Sequence, residues 1–343
     1  MLAQDRVSLT MMSLLPQINA KRFLGSEKIL AFLFLAGFAC LIFTFFSFAD
    51  RALTPYTDIL ISLDVAIIQP NIHLTQKRKL GGDRENISSL LNESKLAIEN
   101  KVDLIVWPET STSGYILQGN DYYLKWIQRE LQGSKLISGI PFYSGKKPER
   151  KFYNSAVLIQ ADSIQNIYHK LKLVPMAEYI PLSDYFPSLK EFNLGQANFT
   201  AGTEYTIMDV NNVQCAVMVC FESTIPYLST EFVRRGAEVL VFVVNDGWYE
   251  YPPEPQQHAK QAIFRAIENR RPVIRSTNTG ISMIIDPSGN ITQSIPLNET
   301  GVIKSKIASF SGLTFYTKYG DIFAQVNMVI SILFILGLFV RKK

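Results

Sequence analysis

Four reactive or charged side chains stand where apolar strands are predicted to end. Cys220 closes "AVMVC" and Glu222 follows two residues later, Glu109 closes "LIVWPE", and Lys170 lies in "YHKLKLVP". A thiol can act as a nucleophile, a carboxylate can take its proton, and an ammonium can stabilise an oxyanion. Because strand ends in α/β sheets gather at the edge where sites are built, we expect these groups to lie together.

Each of these residues also has a purely structural explanation. Cys220 would fit a buried strand as a small apolar side chain, as most unpaired cysteines do. Glu109 would fit a solvated position after a proline, and Lys172 shares the predicted strand face of Lys170. Glu222 would serve equally well in a structural salt bridge. Taken one by one, the residue types leave both explanations open.

Other chemistries are poorly represented. The three histidines, His73, His169 and His258, stand beside no G-x-S-x-G motif and have no metal-ligand spacing. There is no G-x-G-x-x-G or Walker phosphate-binding sequence. A net charge of +4 without a long basic run does not indicate nucleic-acid binding. We therefore expect no metal, no cofactor and no nucleic-acid partner.

The order of predicted elements indicates an α/β domain built from two similar halves. Each half runs strand, helix, strand, helix and then hairpin strands, and the 343 residues are enough for one large domain or two ordinary ones. Nearly continuous apolar strands such as "EVLVFVVND" are typical of sheets covered on both faces. We expect two sheets facing each other with helices outside, a four-layer α-β-β-α sandwich over residues 60–310.

Two apolar segments flank this domain. Ile29–Ala49 carries no charge and has the length that a bilayer core requires, whereas Phe323–Val340 is shorter and includes Gln325 and Asn327. A cleaved signal peptide fits the first segment poorly, because its apolar run is too long and no A-x-A site follows. Both segments are predicted to be transmembrane helices.

The charges around the two segments predict their orientation. Basic residues precede the first segment and follow the second, and positive flanks remain in the cytoplasm. Residues 1–28 and 341–343 are therefore expected in the cytoplasm. The domain and a connector at 311–322 are expected on the outer side, which in a bacterium is the periplasm.

Three cysteines give no indication of a disulfide framework. Cys40 falls in the first predicted span, and Cys215 and Cys220 are separated by an odd offset. Residues at an odd offset on a strand point to opposite faces, so a bridge between them is not expected. A thiol in an outer-side domain is then either buried or kept for chemistry.

Together the motifs resemble the nitrilase superfamily, whose site is a Glu–Lys–Cys triad. The matching segments are "WPET", "YHKLKLVPMAEYIP", "VCFES", "NDGW" and "RAIENRRPVIRSTNTGIS". The resemblance implies a nitrilase-like sandwich, with Glu109 as general base, Lys170 rather than Lys172 as catalytic lysine, and Cys220 as nucleophile. It also implies that Glu178 is a second glutamate of the site. Glu178 and Glu222 are expected to support Lys170 or Cys220.

A narrower resemblance comes from the C-terminal flank. "GLTFYTKYGD", placed just before the last apolar segment, is similar to the end of the membrane branch of the superfamily, the bacterial apolipoprotein N-acyltransferases. This implies a protein of the bacterial inner membrane that takes an acyl chain from a phospholipid onto a cysteine thioester. The acyl chain then passes to the N-terminal amine of a diacylglyceryl-cysteine apolipoprotein, a step of lipoprotein maturation. Trp248 and Tyr249 are candidates for lining the acyl pocket, and Trp248 would fit a position in the core equally well.

One departure keeps an alternative open. Members of that branch carry several spans before the catalytic domain, whereas this chain shows one. The chain is therefore expected to be a short form or to begin late in a longer reading frame. The alternative function is a membrane-tethered amidohydrolase of the nitrilase type that acts on a small amide.

Overall fold

The computed structural model describes most of the chain and divides it into two compact units. The described residues are 32–44, 59–77, 82–118, 121–183, 185–186, 188–189, 198–248 and 253–340. One unit comprises residues 56–320, and the other comprises residues 1–55 together with 321–343. The larger unit holds both sheets and all the candidate site residues that are described.

The first sheet contains the strands of the N-terminal half and one strand from the far end of the domain. Its members are β1 (Ile59–Gln69), β2 (Leu104–Val106), β3 (Lys135–Ser144), β4 (Lys151–Ile159), β5 (Ile164–His169) and β12 (Gly301–Phe310). They are ordered β12-β1-β2-β3-β4-β5. The pairs β1–β2 and β2–β3 are parallel, and the other pairs are antiparallel.

The second sheet repeats this arrangement with the C-terminal half. Its members are β6 (Ile207–Val210), β7 (Val213–Val219), β8 (Val239–Val244), β9 (Val273–Thr277), β10 (Ser282–Ile285) and β11 (Ile291–Ile295). The order is β11-β10-β9-β8-β7-β6, again with a parallel centre, β7–β8–β9, and antiparallel edges. The two halves therefore place their parallel strand ends in equivalent positions.

Helices cover the sheets. Those of the larger unit are α2 (Leu74–Lys77), α3 (Gly82–Glu99), α4 (Tyr122–Glu130), α5 (Pro226–Arg234), α6 (Glu254–Asn269) and α7 (Phe315–Tyr319). Side chains of β1 alternate between two cores, as the two-residue period of a strand requires. Val65 and Ile67 pack in the core shared with the second sheet, whereas Ala66 and Ile68 pack with residues of α3 and α4. The predicted α/β fold with two sheets is confirmed.

Two elements differ from those that the sequence predicts. The pattern of "IQNIYHKLKLV" predicts one continuous strand, whereas β5 ends at His169, so Lys170 is the first residue after the strand. Strand β12 was not predicted, because its exposed Lys304 and its position at the edge of the sheet give "GVIKSKIASF" a weak apolar pattern.

The smaller unit contains helix α1, described over residues 32–44, and α8 (Ile322–Val340). Ring stacking joins Phe32 to Phe334 and Phe43 to Phe323, with ring centroids 4.4 Å apart in both pairs. The two helices therefore run antiparallel. Helix α8 coincides with the second predicted span, whereas the first extends beyond the described residues at both ends. Within the described residues, no helical stretch qualifies by length and apolar character as a membrane crossing.

Gly139 on β3 allows the loop after β2 to lie directly against the sheet. A Cβ atom at this position would lie 2.5 Å from the Cα of Glu109 and 2.9 Å from the carbonyl oxygen of Pro108. Because both contacts are backbone atoms, a substituent would displace the loop that carries Glu109 rather than a flexible side chain. Glycine is thus required here for close approach.

We predict that Gly139→Ala lowers the free energy of unfolding by about 1–3 kcal/mol, the usual range for overpacking. Urea unfolding of the full chain measures this loss. Gly301→Ala is the matched control, because a Cβ atom there would meet only side-chain atoms of Ile295, at 3.3 Å or more. Equal losses in the two variants would contradict the close-approach explanation.

Candidate active site

The predicted triad residues line one cavity of about 490 Å³. Glu109 lies three residues after β2, Lys170 lies directly after β5, and Cys220 lies directly after β7. The first two come from one sheet and the cysteine comes from the other. The expectation that these strand ends meet is therefore met by the geometry, and the catalytic roles remain predictions.

Cys220 occupies a strained backbone position. It opens a 3₁₀ turn, Cys220–Thr224, and its φ is 52°, in the left-handed region that is uncommon for residues other than glycine. Its carbonyl oxygen accepts a hydrogen bond from Ser223 Oγ at 2.9 Å and lies 3.1 Å from His258 Nε2. These contacts hold the turn so that the thiol faces the cavity, as expected for a nucleophile placed at a sharp strand-to-helix turn.

Lys170 is a fully buried cation, only 1% exposed. Its Nζ atom lies 2.9 Å from both carboxylate oxygens of Glu178. Burial would lower the pKa of Lys170, but Glu178 and Glu109 outweigh burial and raise this pKa above its usual value. Lys170 therefore stays protonated across the physiological pH range. Lys172, by contrast, is exposed.

An asparagine links the two glutamates of the site. Asn154 on β4 donates through Nδ2 to Glu109 Oε1 at 2.7 Å and to Glu178 Oε1 at 2.8 Å. Glu178 also accepts the backbone N–H of Val174 at 2.8 Å. The shared amide fixes the spacing of both carboxylates around the ammonium of Lys170.

The carboxylate of Glu109 is buried, and only one of its oxygens has a well-formed hydrogen bond among the described residues. Burial raises the pKa of Glu109, while the charge of Lys170 and hydrogen bonds from Asn154 and the Cys220 thiol oppose that rise. The second carboxylate oxygen, Oε2, has no partner of good hydrogen-bond geometry among the described residues. Hydrogen bonds of a general base are often long before substrate binds, so this geometry suits the predicted role.

The Cys220 thiol is held in its neutral form. Burial is the largest cause of a pKa raised well above the usual value, and the charge of Glu109 adds to it. The charge of Lys170 and the backbone N–H of Asn245 act in the opposite direction. A thiol in this state needs a base at the moment of attack.

Glu222 connects the lysine segment to the cysteine turn. Oε1 accepts hydrogen bonds from Tyr168 Oη at 2.8 Å and from the backbone N–H groups of Leu171 at 2.7 Å and Lys172 at 3.0 Å. Oε2 accepts the backbone N–H of Val219 at 2.8 Å. One buried carboxylate thus joins segments from both sheets on either side of the cavity.

Several further residues of the cavity carry no predicted role from the sequence, among them Lys77, Asn154, Asn245 and His258. His258 lies 2.7 Å from Asp246 through Nδ1, and Arg275 donates to the second oxygen of Asp246 at 2.9 Å. Asp246 stands in the "NDGW" motif, so the sequence could have indicated Asp246 as a residue of the site. Asn245 stands in the same motif, whereas Lys77, Asn154 and His258 stand in no motif that reveals their partners.

Cys220, Asp246 and His258 bring their ligand-type atoms within 4.8 Å of one another. Both oxygens of Asp246 are already engaged by His258 and Arg275, and His258 Nε2 lies 2.9 Å from Ser223 Oγ. The group is therefore a hydrogen-bonded network beneath the cysteine turn, with few ligand atoms left for a cation.

Lys77 holds the loop that carries Glu109. Its Nζ atom donates to the carbonyl oxygen of Thr110 at 3.0 Å, and Ser113 Oγ donates to the Lys77 carbonyl oxygen at 2.6 Å. Burial lowers the pKa of Lys77 to about 7, although the charge of Glu109 acts against that decrease. Thr110, with a φ of 53°, is thus held in a left-handed position beside Glu109.

Trp248 lines the cavity and is 43% exposed, so it lies at the cavity opening. Tyr249, the other candidate for the acyl pocket, lies outside the described residues.

Cys215 is fully buried in the middle of β7, and both Cys215 and Cys220 are free thiols.

We predict that Glu222→Gln lowers the free energy of unfolding by about 1–3 kcal/mol, the cost of leaving a buried donor without a partner. The variant keeps the shape of the side chain but places an N–H group against one of the four donors. Urea unfolding measures the loss. Glu231→Gln, which breaks only half-exposed pairs with Arg234 and Arg235, is the control and should change stability by less than about 1 kcal/mol. Indistinguishable losses would contradict the linking role of Glu222.

Comparison with known proteins agrees with this geometry. The carbon-nitrogen hydrolase family model matches residues 64–311. A carbon-nitrogen hydrolase from Helicobacter pylori G27 superposes with a TM-score of 0.55 at 17% identity, covering 73% of this chain and 90% of that chain. An amidase from Nesterenkonia sp. gives a TM-score of 0.54 at 18% identity, covering 72% and 90%. At these identities the likeness concerns the fold alone.

Sequence relatives point to a narrower group. The apolipoprotein N-acyltransferase of Geobacter metallireducens is 33% identical over 264 residues, 76% of this chain and 50% of that protein. That of Chlorobaculum tepidum is 32% identical over 305 residues, 81% of this chain and 57% of that protein. The chain thus spans about half the length of these relatives, and its resemblance to the membrane branch is confirmed. The chain belongs to the carbon-nitrogen hydrolase family.

Proposed function

We propose that this protein transfers an acyl chain from a phospholipid, through a thioester on Cys220, to the N-terminal amine of a diacylglyceryl-cysteine lipoprotein. The observation that carries the proposal is the convergence of Cys220, Glu109 and Lys170 on one cavity. The names of the sequence relatives support the choice of substrates. The activity would be that of an N-acyltransferase with ping-pong kinetics.

The first half-reaction begins at the ester carbonyl of the phospholipid. Glu109 takes the proton of the Cys220 thiol as the sulfur forms a bond to the carbonyl carbon. Because burial raises the pKa of Glu109, its carboxylate is a stronger base than an exposed one, which favours the transfer. The need for this base follows from the raised pKa of Cys220.

Lys170 stabilises the oxyanion that forms on the carbonyl oxygen, together with a backbone N–H near the cysteine turn. Its charge is maintained by Glu178 and Glu109, so no proton has to be acquired during the reaction. A fixed cation in a buried site acts more strongly than one in water.

Collapse of this intermediate breaks the bond between the carbonyl carbon and the alcohol oxygen. Glu109 gives its proton to that oxygen, a lysophospholipid leaves, and the acyl thioester remains on Cys220. In the second half-reaction the lipoprotein amine attacks the thioester carbon. Glu109 accepts a proton from the amine and passes it to the departing thiolate, which restores the thiol and releases the amide.

Glu178 and Glu222 act through other residues in this scheme. Glu178 keeps Lys170 charged and in place, and Glu222 holds the lysine segment against the cysteine turn. Trp248, at the cavity opening, is suited to contact an acyl chain, and we propose the same role for Tyr249. No metal or cofactor is required.

We further propose that the protein resides in the bacterial inner membrane. Helices α1 and α8 stack on each other and expose large apolar side chains, among them Phe34 at 74% and Leu41 at 70%, which favours lipid contact. The proposed organisation is a cytoplasmic segment (1–28), a span (29–49), the catalytic domain on the periplasmic side (60–310), a connector (311–322), a second span (323–340) and a cytoplasmic tail (341–343).

Glu109→Gln should separate acylation from alkylation of the same thiol. Removing the carboxylate removes a charge that raises the pKa of Cys220, so the thiolate fraction and the rate of iodoacetamide alkylation should increase. Acylation should fall by about 10²–10⁴-fold, because the base is lost. Rates of both reactions on one preparation test this, and parallel changes would contradict the role of Glu109.

Labelled phospholipid tests the proposed function directly. Incubation of the full chain should add an acyl mass to the peptide that contains Cys220, and a diacylated lipopeptide should then remove it and become triacylated. Cys220→Ala should abolish both steps, whereas Cys215→Ala, which removes a thiol buried within β7, should retain them. Turnover of small amides without any acyl-enzyme from phospholipid would overturn the proposal in favour of the amidohydrolase.

A further inference from the structure

Asn245 carries a buried amide group for which the described residues provide no donor partner. It is the residue after β8, lines the cavity and is only 1% exposed. Its Nδ2 atom makes no hydrogen bond with any described residue. Leaving a buried donor unpaired costs about 1–3 kcal/mol, so such a group in a site calls for an explanation.

The orientation of this amide follows from its neighbours. Asn278 accepts the backbone N–H of Ile72 through Oδ1 at 3.1 Å and donates to the Ile72 carbonyl oxygen through Nδ2 at 2.7 Å. Asn278 Nδ2 also donates to Asn245 Oδ1 at 3.2 Å, and the backbone N–H of Gly247 donates to the same oxygen at 3.4 Å. The oxygen of Asn245 therefore faces these donors, and Nδ2 is directed away from them.

Asn245 lies beside the nucleophile. Strands β7 and β8 are parallel neighbours, with Val219 opposite Val243, so Cys220 and the residues after Val244 leave the sheet at the same end. The backbone N–H of Asn245 stabilises the ionised sulfur of Cys220 and lowers its pKa. A group bonded to the sulfur is therefore adjacent to Asn245.

Two buried side chains with an unpaired atom thus line the same cavity as the thiol. Among the described residues, Glu109 Oε2, on the loop after β2, is an acceptor without a partner of good geometry, and Asn245 Nδ2, after β8, is a donor without one. The reaction of a thiol with an ester needs an acceptor for the proton that leaves the sulfur. It also needs a donor for the carbonyl oxygen that becomes negative.

We propose that the side-chain amide of Asn245 donates a hydrogen bond to the acyl carbonyl oxygen as it becomes an oxyanion, and so acts as a catalytic residue alongside Lys170. This rests on the proposed thioester chemistry at Cys220. It holds for either acceptor, amine or water, because both half-reactions pass through an oxyanion. The ligand is thus the carbonyl oxygen of an acyl ester or thioester.

The test compares two reactions of Cys220 in this chain, each confirmed as added mass on the peptide that contains Cys220, because Cys40 is an exposed thiol. Acylation by a p-nitrophenyl ester of a medium-chain fatty acid passes through an oxyanion and releases a p-nitrophenol burst. Alkylation by iodoacetamide displaces iodide and forms no oxyanion. Asn245→Ala and Asn245→Leu should lower the acylation rate constant by about 10²–10³-fold, as loss of an oxyanion donor does. Their alkylation rates should stay within about threefold of wild type, since the thiol itself is unchanged.

Asn86→Ala is the matched control. Asn86 on α3 is also buried, and its Nδ2 atom likewise has no partner among the described residues, but it does not line the cavity. Its removal should leave both rates unchanged. The midpoint of urea unfolding of each variant shows whether its fold is retained. The alkylation rate reports independently on the state of the thiol.

Three outcomes would overturn the proposal. Acylation of the Asn245 variants at nearly the wild-type rate would show that the amide makes no contact with the oxyanion. Equal loss of acylation and alkylation would assign Asn245 a structural role, and absence of a burst in the wild type would remove the thioester itself. If the wild type reacts with the p-nitrophenyl ester but never with phospholipid, the proposed function fails while the role of Asn245 stands.

Discussion

The buried ammonium of Lys170 is the constraint on which the rest of the site depends. A cation removed from water is costly unless carboxylates and hydrogen bonds surround it. Glu178 supplies both its oxygens at 2.9 Å, and Glu109 adds its charge. The same arrangement gives Glu109 its position, because Asn154 bonds to both glutamates. The base and the oxyanion-stabilising cation are thus one electrostatic unit in which removal of any member changes the others.

This unit belongs to the first sheet, whereas the thiol belongs to the second. Each sheet places its parallel strand ends at an equivalent position, and the site forms where the two sets meet. Glu222 secures the junction by accepting hydrogen bonds from the lysine segment and from the residue before Cys220. The strained backbone of Cys220 is held by Ser223 and His258. Strain at the nucleophile is therefore supported by contacts on several sides, as expected when it serves function.

The residues predicted from motifs are those that follow strands, because strand ends can be recognised from apolar runs. Glu109, Lys170 and Cys220 are of this kind, and the two-sheet α/β fold follows from the same runs. Asn154 could not be predicted, because it lies inside β4 and meets Glu109 only through sheet pairing. Lys77 could not be predicted either, because the carbonyl group of Thr110 to which it donates is 33 residues away in the sequence. Strand β12 returns from the end of the domain to pair with β1, a contact that no local pattern reveals.

The account requires Cys220 to be a neutral thiol at neutral pH, so that its acylation needs Glu109 to take the proton. The pH dependence of alkylation by iodoacetamide in the wild-type protein tests this claim most directly, with the label read on the peptide that contains Cys220, because Cys40 and Cys215 are also free thiols. Burial and the charge of Glu109 raise the pKa of Cys220, so the rate should still be rising at a pH where an ordinary thiol is already ionised. A rate that reaches its plateau by neutral pH would mean a preformed thiolate and would contradict the account.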